Sequence, residues 1–268
     1  IYQQNHPDRS ILAVKGSCIL GIEGLYEHCA IARKSGFPQL IKGQYPPYVE
    51  NLIVVGSGLS ALDHLDEIRS LSATNPVMAI KGAHDWLMDN GITPTYAVAA
   101  DPQESRHDCF RRLNDETIYL PASQMHPKTW GYLKGRKVII WHAQINKDQN
   151  NLPEWRGFPL IPGGGTTGLR ALSLAWVLGF RNIETYGMDS CIDPDGVYKL
   201  DGSVKIERDV IRTIWVGDKQ FLSTDLLVSQ TQGLMGTLQC LPGIKLTAHG
   251  EGLFQEVLRQ GKLAGWPV

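Results

Sequence analysis

The residues with the most chemistry to offer follow short apolar runs. Gly163-Gly164-Gly165-Thr166-Thr167-Gly168 leads straight into Leu169, Leu172, Ala175 and Trp176, apolar at helical spacing, with Gly179 as a natural stop. A helix start preceded by glycines offers backbone N–H groups, the positive end of a dipole and room for close approach, which is the chemistry of phosphate binding. Gly56-Ser57-Gly58-Leu59-Ser60, after Leu52-Ile53-Val54-Val55, offers amides and a hydroxyl to the same kind of ligand. Asp101 and Asp189 each follow an apolar run, where a carboxylate could hold Mg²⁺, a ribose hydroxyl or a reacting proton; a helix cap is the plain alternative for Asp101. His142 ends the run Val138-Ile139-Ile140-Trp141, and Ser123-Gln124-Met125-His126 follows 117–120. Both imidazoles are placed by this reading on one rim, as general base or phosphate donor, and His84 opens a helix beside Asp85.

Several classes are disfavoured. No H-E-x-x-H, G-x-S-x-G or Walker A pattern occurs, which speaks against a zinc peptidase, a serine hydrolase or a P-loop NTPase. Residues 56–61 have the spacing of a dinucleotide fingerprint, yet the next strand ends in Ile80-Lys81-Gly82 and lacks the acid that holds an NAD ribose. NADP, with Lys81 near a 2′-phosphate, survives as a minor option. Asp193-Pro194-Asp195-Gly196 reads as a turn rather than a metal-binding D-x-D. The net charge of -1 gives no case for nucleic acid or a membrane surface, and Arg106, Arg111 and Arg112 read as a solvated face. Five scattered cysteines without a C-x-x-C pair fit reduced thiols in a cytoplasm, and no signal peptide or membrane-length apolar run is visible.

The elements that must position these residues form an α/β pattern. Apolar runs at 52–55, 77–80, 96–100, 117–120, 138–141 and 183–186 alternate with amphipathic stretches, which predicts a Rossmann-like, doubly wound, mostly parallel sheet with helices on both faces. Ligands of such sheets bind outside the carboxyl ends of the strands. Residues 1–50 read as an N-terminal extension packed on a main domain at 51–268, with a strand at 11–14, a helix at 22–32 and a boundary at Tyr45-Pro46-Pro47. Within the main domain, 196–268 forms a mixed C-terminal subregion: strands at 210–215 and 219–222, a helix at 226–238, a strand at 244–247 and a helix at 252–259.

The blocks Val55-Gly56-Ser57-Gly58-Leu59-Ser60, Lys81-Gly82-Ala83-His84-Asp85-Trp86-Leu87, Gly91-Ile92-Thr93-Pro94-Thr95-Tyr96 with Asp101-Pro102, residues 163–168 and Tyr186-Gly187-Met188-Asp189-Ser190 resemble the 6-hydroxymethylpterin diphosphokinase MptE-like domain. Residues 122–127, Trp141-His142-Ala143 and His249-Gly250-Glu251-Gly252-Leu253 look like a phage-encoded branch of it, which would be expressed in a host cytoplasm. The resemblance covers about residues 50–260. It implies a nucleotide-binding transferase, with archaeal members moving diphosphate from ATP to a pterin alcohol with Mg²⁺. Motility accessory factors and, in architecture, small bacterial sialyltransferases using CMP-sugars are more distant relatives. Lys81 departs from the Asn common in the family and places a cation near the donor. No His lies between Asp189 and His249, where the sialyltransferases keep theirs, which speaks against sialyl transfer.

The reading that results is a Mg²⁺-assisted, diphosphokinase-like transferase acting on ATP and a small hydroxyl acceptor. Gly56, Ser57, Gly58, Ser60, Lys81, Gly82, Gly164, Gly165, Thr166 and Thr167 are expected to cradle the nucleotide and its phosphates, and Asp101 and Asp189 to hold metal or acceptor. His142 or His126 would take the acceptor proton, and His84, Ser123 and Gln124 would meet the substrate. A glycosyltransferase using a nucleotide-sugar and a non-catalytic nucleotide-binding module are the rival readings.

Overall fold

The computed structural model describes residues 20–197, 199–200 and 211–267; the strand expected at 11–14 lies outside them. A helix α1 (Ile22–Arg33) precedes β1 (Tyr48–Val55), and the chain then alternates: α2 (Ser60–Asp63), α3 (Leu65–Ser72), β2 (Val77–Ile80), α4 (Ala83–Asp89), β3 (Tyr96–Ala99), β4 (Ile118–Pro121), α5 (Lys128–Tyr132) and β5 (Lys137–Val138). Then follow β6 (His142–Ala143), β7 (Leu160–Ile161), α6 (Thr167–Val177), β8 (Phe180–Tyr186), β9 (Arg212–Val216), β10 (Lys219–Ser223), α7 (Asp225–Gln232), α8 (Leu234–Gln239), β11 (Lys245–Ala248) and α9 (Leu253–Leu263). Seven strands form one parallel sheet in the order β11-β8-β1-β2-β3-β4-β5, with β9/β10 and β6/β7 as two small separate sheets. This is the expected α/β class.

Period-2 alternation explains the layering. In β1, Leu52 and Val54 enter the larger core with Met78 and Ile80 of β2, whereas Ile53 and Val55 enter the smaller core with Val77 and Ala79. Helix α6 seals the first face through Leu169, Ala171, Leu172, Leu174 and Ala175, and α3 and α4 seal the second through Ile68, Ala83 and Leu87. A sheet buried on both faces is why its strands read as continuous apolar runs.

Three expectations change. Leu62, Leu65, Ile68 and Leu71 are spaced as for a single helix, but the stretch is two helices broken at His64, whose φ of -110° and ψ of 11° leave the helical basin. The helix read at 226–238 is likewise split at Gly233, where a Cβ would stand 2.9 Å from Leu169 Cδ1 of α6. The run 138–141 stays alongside β4 with an interrupted ladder: β5 ends at Val138, yet Ile139 and Trp141 N–H donate to the Tyr119 and Pro121 carbonyls, and His142 then joins the separate β6/β7 pair.

The described part of the N-terminal segment packs on the β4–β7 end. His28 meets the Gln124 carbonyl, the Ser123 hydroxyl donates to Cys29 Sγ, and Leu40 N–H donates to the Ile140 carbonyl. Among the described residues, no helix is long and apolar enough to cross a membrane.

Candidate active site

Strand order reverses between β1 and β8, the topological switch point at which ligands of open α/β sheets bind. The loops leaving these two strands are zipped together. Gly56 N–H donates to the Tyr186 carbonyl and Gly58 N–H to the Gly187 carbonyl, both at 2.8 Å. Glycine is required on both sides: a Cβ on Gly58 would lie 2.5 Å from Asp189 Oδ2, and one on Gly187, at φ of 63°, would lie 2.6 Å from the Gly56 carbonyl oxygen. Asp189 is 6% exposed, and its carboxylate accepts from Ser60 N–H (2.9 Å), from the Ser60 hydroxyl and from Gln255 Nε2 (3.3 Å). An internal carboxylate therefore occupies the anion position that the sequence reading assigned to a donor phosphate at Ser60. Asp189 itself is enclosed, with both carboxylate oxygens hydrogen-bonded.

Lys81 and Asp101 stand at the carboxyl ends of the adjacent strands β2 and β3, joined by Lys81 Nζ to Asp101 Oδ2 at 2.9 Å. Both keep exposed surface, 34% and 17% of their side chains. Lys81 has φ of 51°, so the strand ends in a left-handed turn before Gly82 caps α4. Asp101 Oδ1 accepts from Gln103 N–H at 3.2 Å, which makes a local turn and not the helix cap weighed as its plain role, since the short helix at Glu104–Arg106 starts after Gln103. The Cys109 thiol feels the charges of Lys81 and Asp101 but is pushed up to about 12, chiefly by burial, and so is no nucleophile here.

The start of α6 forms the other wall. Gly163 has φ of 132°, with its Cβ position 2.6 Å from Arg170 N, and Gly164 has φ of 59°; both are conformations that side chains oppose. Thr166 caps the helix by accepting from Leu169 N–H, and Gly165, Thr166 and Thr167 retain exposure. Gly168 packs on Gln230, which accepts from the Ser190 hydroxyl at 2.8 Å, and so ties the α6 start to the Asp189 turn. The ends of β8, β1, β2 and β3 span about 14 Å at ordinary strand spacing, a length suited to a nucleotide.

The histidines do not gather as expected. His142 is fully buried between Trp155 and Phe158, neither ring nitrogen has a partner, and burial pulls its pKa down to about 4. It cannot meet an acceptor on the rim, because β6 turns it into the core. His84 is also fully buried, with Nδ1 2.9 Å from Asp85 Oδ1 and its ring against Phe110 and Tyr119. Burial pushes the Asp85 carboxyl up, but the His84 hydrogen bond and the Arg112 and Arg111 amides outweigh it and leave the group below its ordinary range. Ser123 is enclosed against Cys29, and Gln124 is turned inward, donating from Nε2 to the Ala100 carbonyl. These three brace the β3/β4 end rather than face it. His126 alone among the expected histidines stays half-exposed; its Nδ1 accepts from Lys128 N–H, which leaves the neutral ring's proton on Nε2.

Arg170 was missed by the sequence reading. Its guanidinium donates to the Gly164, Ile161 and Gln144 carbonyls at 2.9, 2.9 and 3.2 Å, and burial lowers its pKa to about 10. A cation in the first turn of a helix, against the dipole, was the signal available. A shallow hollow of about 360 Å³ lined by Phe37, Ile118, Arg136 and Val138 lies at the amino ends of β4 and β5, away from this chemistry.

The fold is shared with MAf glycosyltransferase from Magnetospirillum magneticum AMB-1, at a TM-score of 0.62 and 14% identity. That match covers 91% of this chain but 42% of the other, so the chain spans less than half of that protein's length. A mammalian sialyltransferase solved with Gal-beta-1-3GalNAc-ortho-nitrophenol aligns at a TM-score of 0.40 and 13% identity, covering 85% of this chain and 86% of its own. A search of curated proteins gave no match. A family model described as 6-hydroxymethylpterin diphosphokinase MptE-like matches residues 26–204, a span that holds β1 to β8 and every loop of the crevice described above. The chain belongs to the 6-hydroxymethylpterin diphosphokinase MptE-like family.

Proposed function

We propose that the protein is a nucleotide-dependent transferase that moves the diphosphate of ATP to a small, pterin-like alcohol. The observation that carries the reading is the Lys81–Asp101 pair at the ends of β2 and β3, across the crevice from the glycine-rich start of α6. A half-exposed ammonium held by a carboxylate is a cation in waiting: donor phosphates can draw Lys81 Nζ away and free Asp101 Oδ2. Mg²⁺ is usually held by one or two carboxylates plus substrate phosphates, and Asp101 fits that role. Asp189 does not, since Ser60 and Gln255 already use its oxygens. Mg²⁺ would supply charge neutralisation on the β- and γ-phosphates.

The acceptor hydroxyl oxygen attacks the β-phosphorus, the α–β bridging P–O bond breaks, and AMP leaves with the electron pair. In such a transfer catalysis is mostly positioning and charge stabilisation. Lys81 and the amides of residues 164–167 hold phosphate oxygens, and His126 Nε2–H donates to the transferred group. The acceptor proton passes to water at the open rim.

The test is calorimetry with ATP, CMP and UDP, with and without Mg²⁺, followed by product analysis. Mg²⁺-dependent ATP binding, weakened at least tenfold in Asp101→Asn and Lys81→Ala, together with AMP release on transfer, supports the proposal. Release of a nucleoside mono- or diphosphate from a nucleotide-sugar would replace it with glycosyl transfer. Tight binding without turnover, unaffected by Asp101→Asn, would make the protein a binding module.

A further inference from the structure

On the opposite face of the sheet from α6, two histidines and two glutamates converge where β8 and β11 end. His64 stands at the break between α2 and α3, Glu67 one turn further on α3, and His249 immediately after β11. His64 Nδ1 lies 2.9 Å from Glu67 Oε2, and His249 Nδ1 lies 3.9 Å from Glu67 Oε1. One ligand atom from each of the three residues can be chosen so that all lie within 4.8 Å of one another.

The groups behind His249 hold its ring in place. His249 stacks on Tyr186 at 4.2 Å between ring centroids and 8° between planes, and its Nε2 lies 3.1 Å from Glu184 Oε2. Glu184 is steadied in turn by Asn51 Nδ2 and the Tyr186 hydroxyl, each at 3.4 Å. A carboxylate on Nε2 fixes the tautomer that leaves the Nδ1 lone pair toward Glu67, the arrangement by which carboxylates orient metal-ligating histidines.

We propose that His64, Glu67 and His249 form a binding site for a borderline divalent cation of the Zn²⁺ class, with Glu184 as the residue positioning His249. Two imidazoles and a carboxylate suit Zn²⁺; bonds of 2.0–2.1 Å in a tetrahedron set ligand atoms about 3.3 Å apart, a spacing that one atom from each residue, all within 4.8 Å of one another here, reaches by a small closing of the side chains. Glu67 is 44% exposed, so the fourth position opens to solvent. The ion would clasp α3 to the end of β11, and the site does not depend on the nucleotide chemistry across the sheet.

The test is titration of chelator-treated protein with Zn²⁺ by calorimetry, with Co²⁺ absorption as the report on coordination geometry. One ion per chain, a tetrahedral Co²⁺ spectrum and a rise in melting temperature are expected. His64→Ala and Glu67→Gln should each weaken binding at least a hundredfold, and Glu184→Gln ten- to a hundredfold. His107→Asn, on the far side, should leave it unchanged. His249→Asn would remove a stacked ring and risk misfolding, so the half-exposed His64 carries the decision. Absence of stoichiometric binding, or Zn²⁺ affinity equal in wild type and His64→Ala, overturns the proposal and leaves the cluster a hydrogen-bonded network.

Discussion

At the scale of single residues, the candidate site depends on positions where nothing larger than hydrogen fits. Gly58 lets Asp189 reach Ser60, and the Cβ of an alanine there would stand 2.5 Å from Oδ2 and 2.7 Å from the Gly187 carbonyl. Overpacking of this kind costs about 1–3 kcal/mol, so Gly58→Ala should lower the urea midpoint, whereas Gly131→Ala, in open space within α5, should be neutral or stabilising by about 0.5–1 kcal/mol. Equal midpoints for the two variants would show that the Asp189–Ser60 junction is not tight. Sequence spacing made residues 56–60 and Asp189 legible as a pair of loops at strand ends. It could not reveal that they satisfy each other, because a carboxylate and a helix start attract whether the anion is a ligand or a neighbour 129 residues away.

At the scale of elements, α6 is the rigid piece. Its apolar stripe was legible; Thr166, read as a phosphate contact, is its cap. What holds the glycine loop before it is Arg170, whose fork reaches three carbonyls from two segments. Arg170→Met should cost about 2–3 kcal/mol in denaturant unfolding and speed amide exchange in residues 161–166, with Arg170→Lys recovering little because an ammonium lacks the planar fork. Unchanged exchange in that loop would show that the glycines hold their conformation unaided. The breaks at His64 and Gly233 were illegible for a common reason: the apolar periodicity runs on across both.

At the scale of the whole molecule, stability inherits a pH dependence from His142. Its folded pKa, about 4, lies below the ordinary 6.5, so the contribution is complete above pH 6.5 and is lost as pH falls toward 4, when only the unfolded chain gains the proton. Linkage gives a loss of about 2 kcal/mol between pH 7.5 and pH 5. Urea denaturation at the two pH values measures it, and His142→Phe should abolish most of that difference; an undiminished difference in the variant would place the titration elsewhere. The same burial removes His142 from the list of bases, which a sequence could not anticipate. A histidine after an apolar run looks the same whether the strand ends at a rim or, as with β6, leaves the main sheet for a second small one.

The sequence by itself determined the layers and the edge. Alternating apolar runs and amphipathic helices force a doubly covered parallel sheet, and the carboxyl ends of its strands must then carry Lys81, Asp101, Asp189 and the glycine loops. Only the tertiary structure decided which of those groups face outward. Lys81 and Asp101 keep part of their surface, Asp189 is spent on Ser60, and His84, Ser123, Gln124 and His142 turn into the core. It alone brought His64, Glu67, Glu184 and His249 together from β8, α3 and the end of β11. The physical reason is range: periodicity is a local property of hydrophobic burial, whereas the partner of a polar group is fixed by strand order and packing across the sheet.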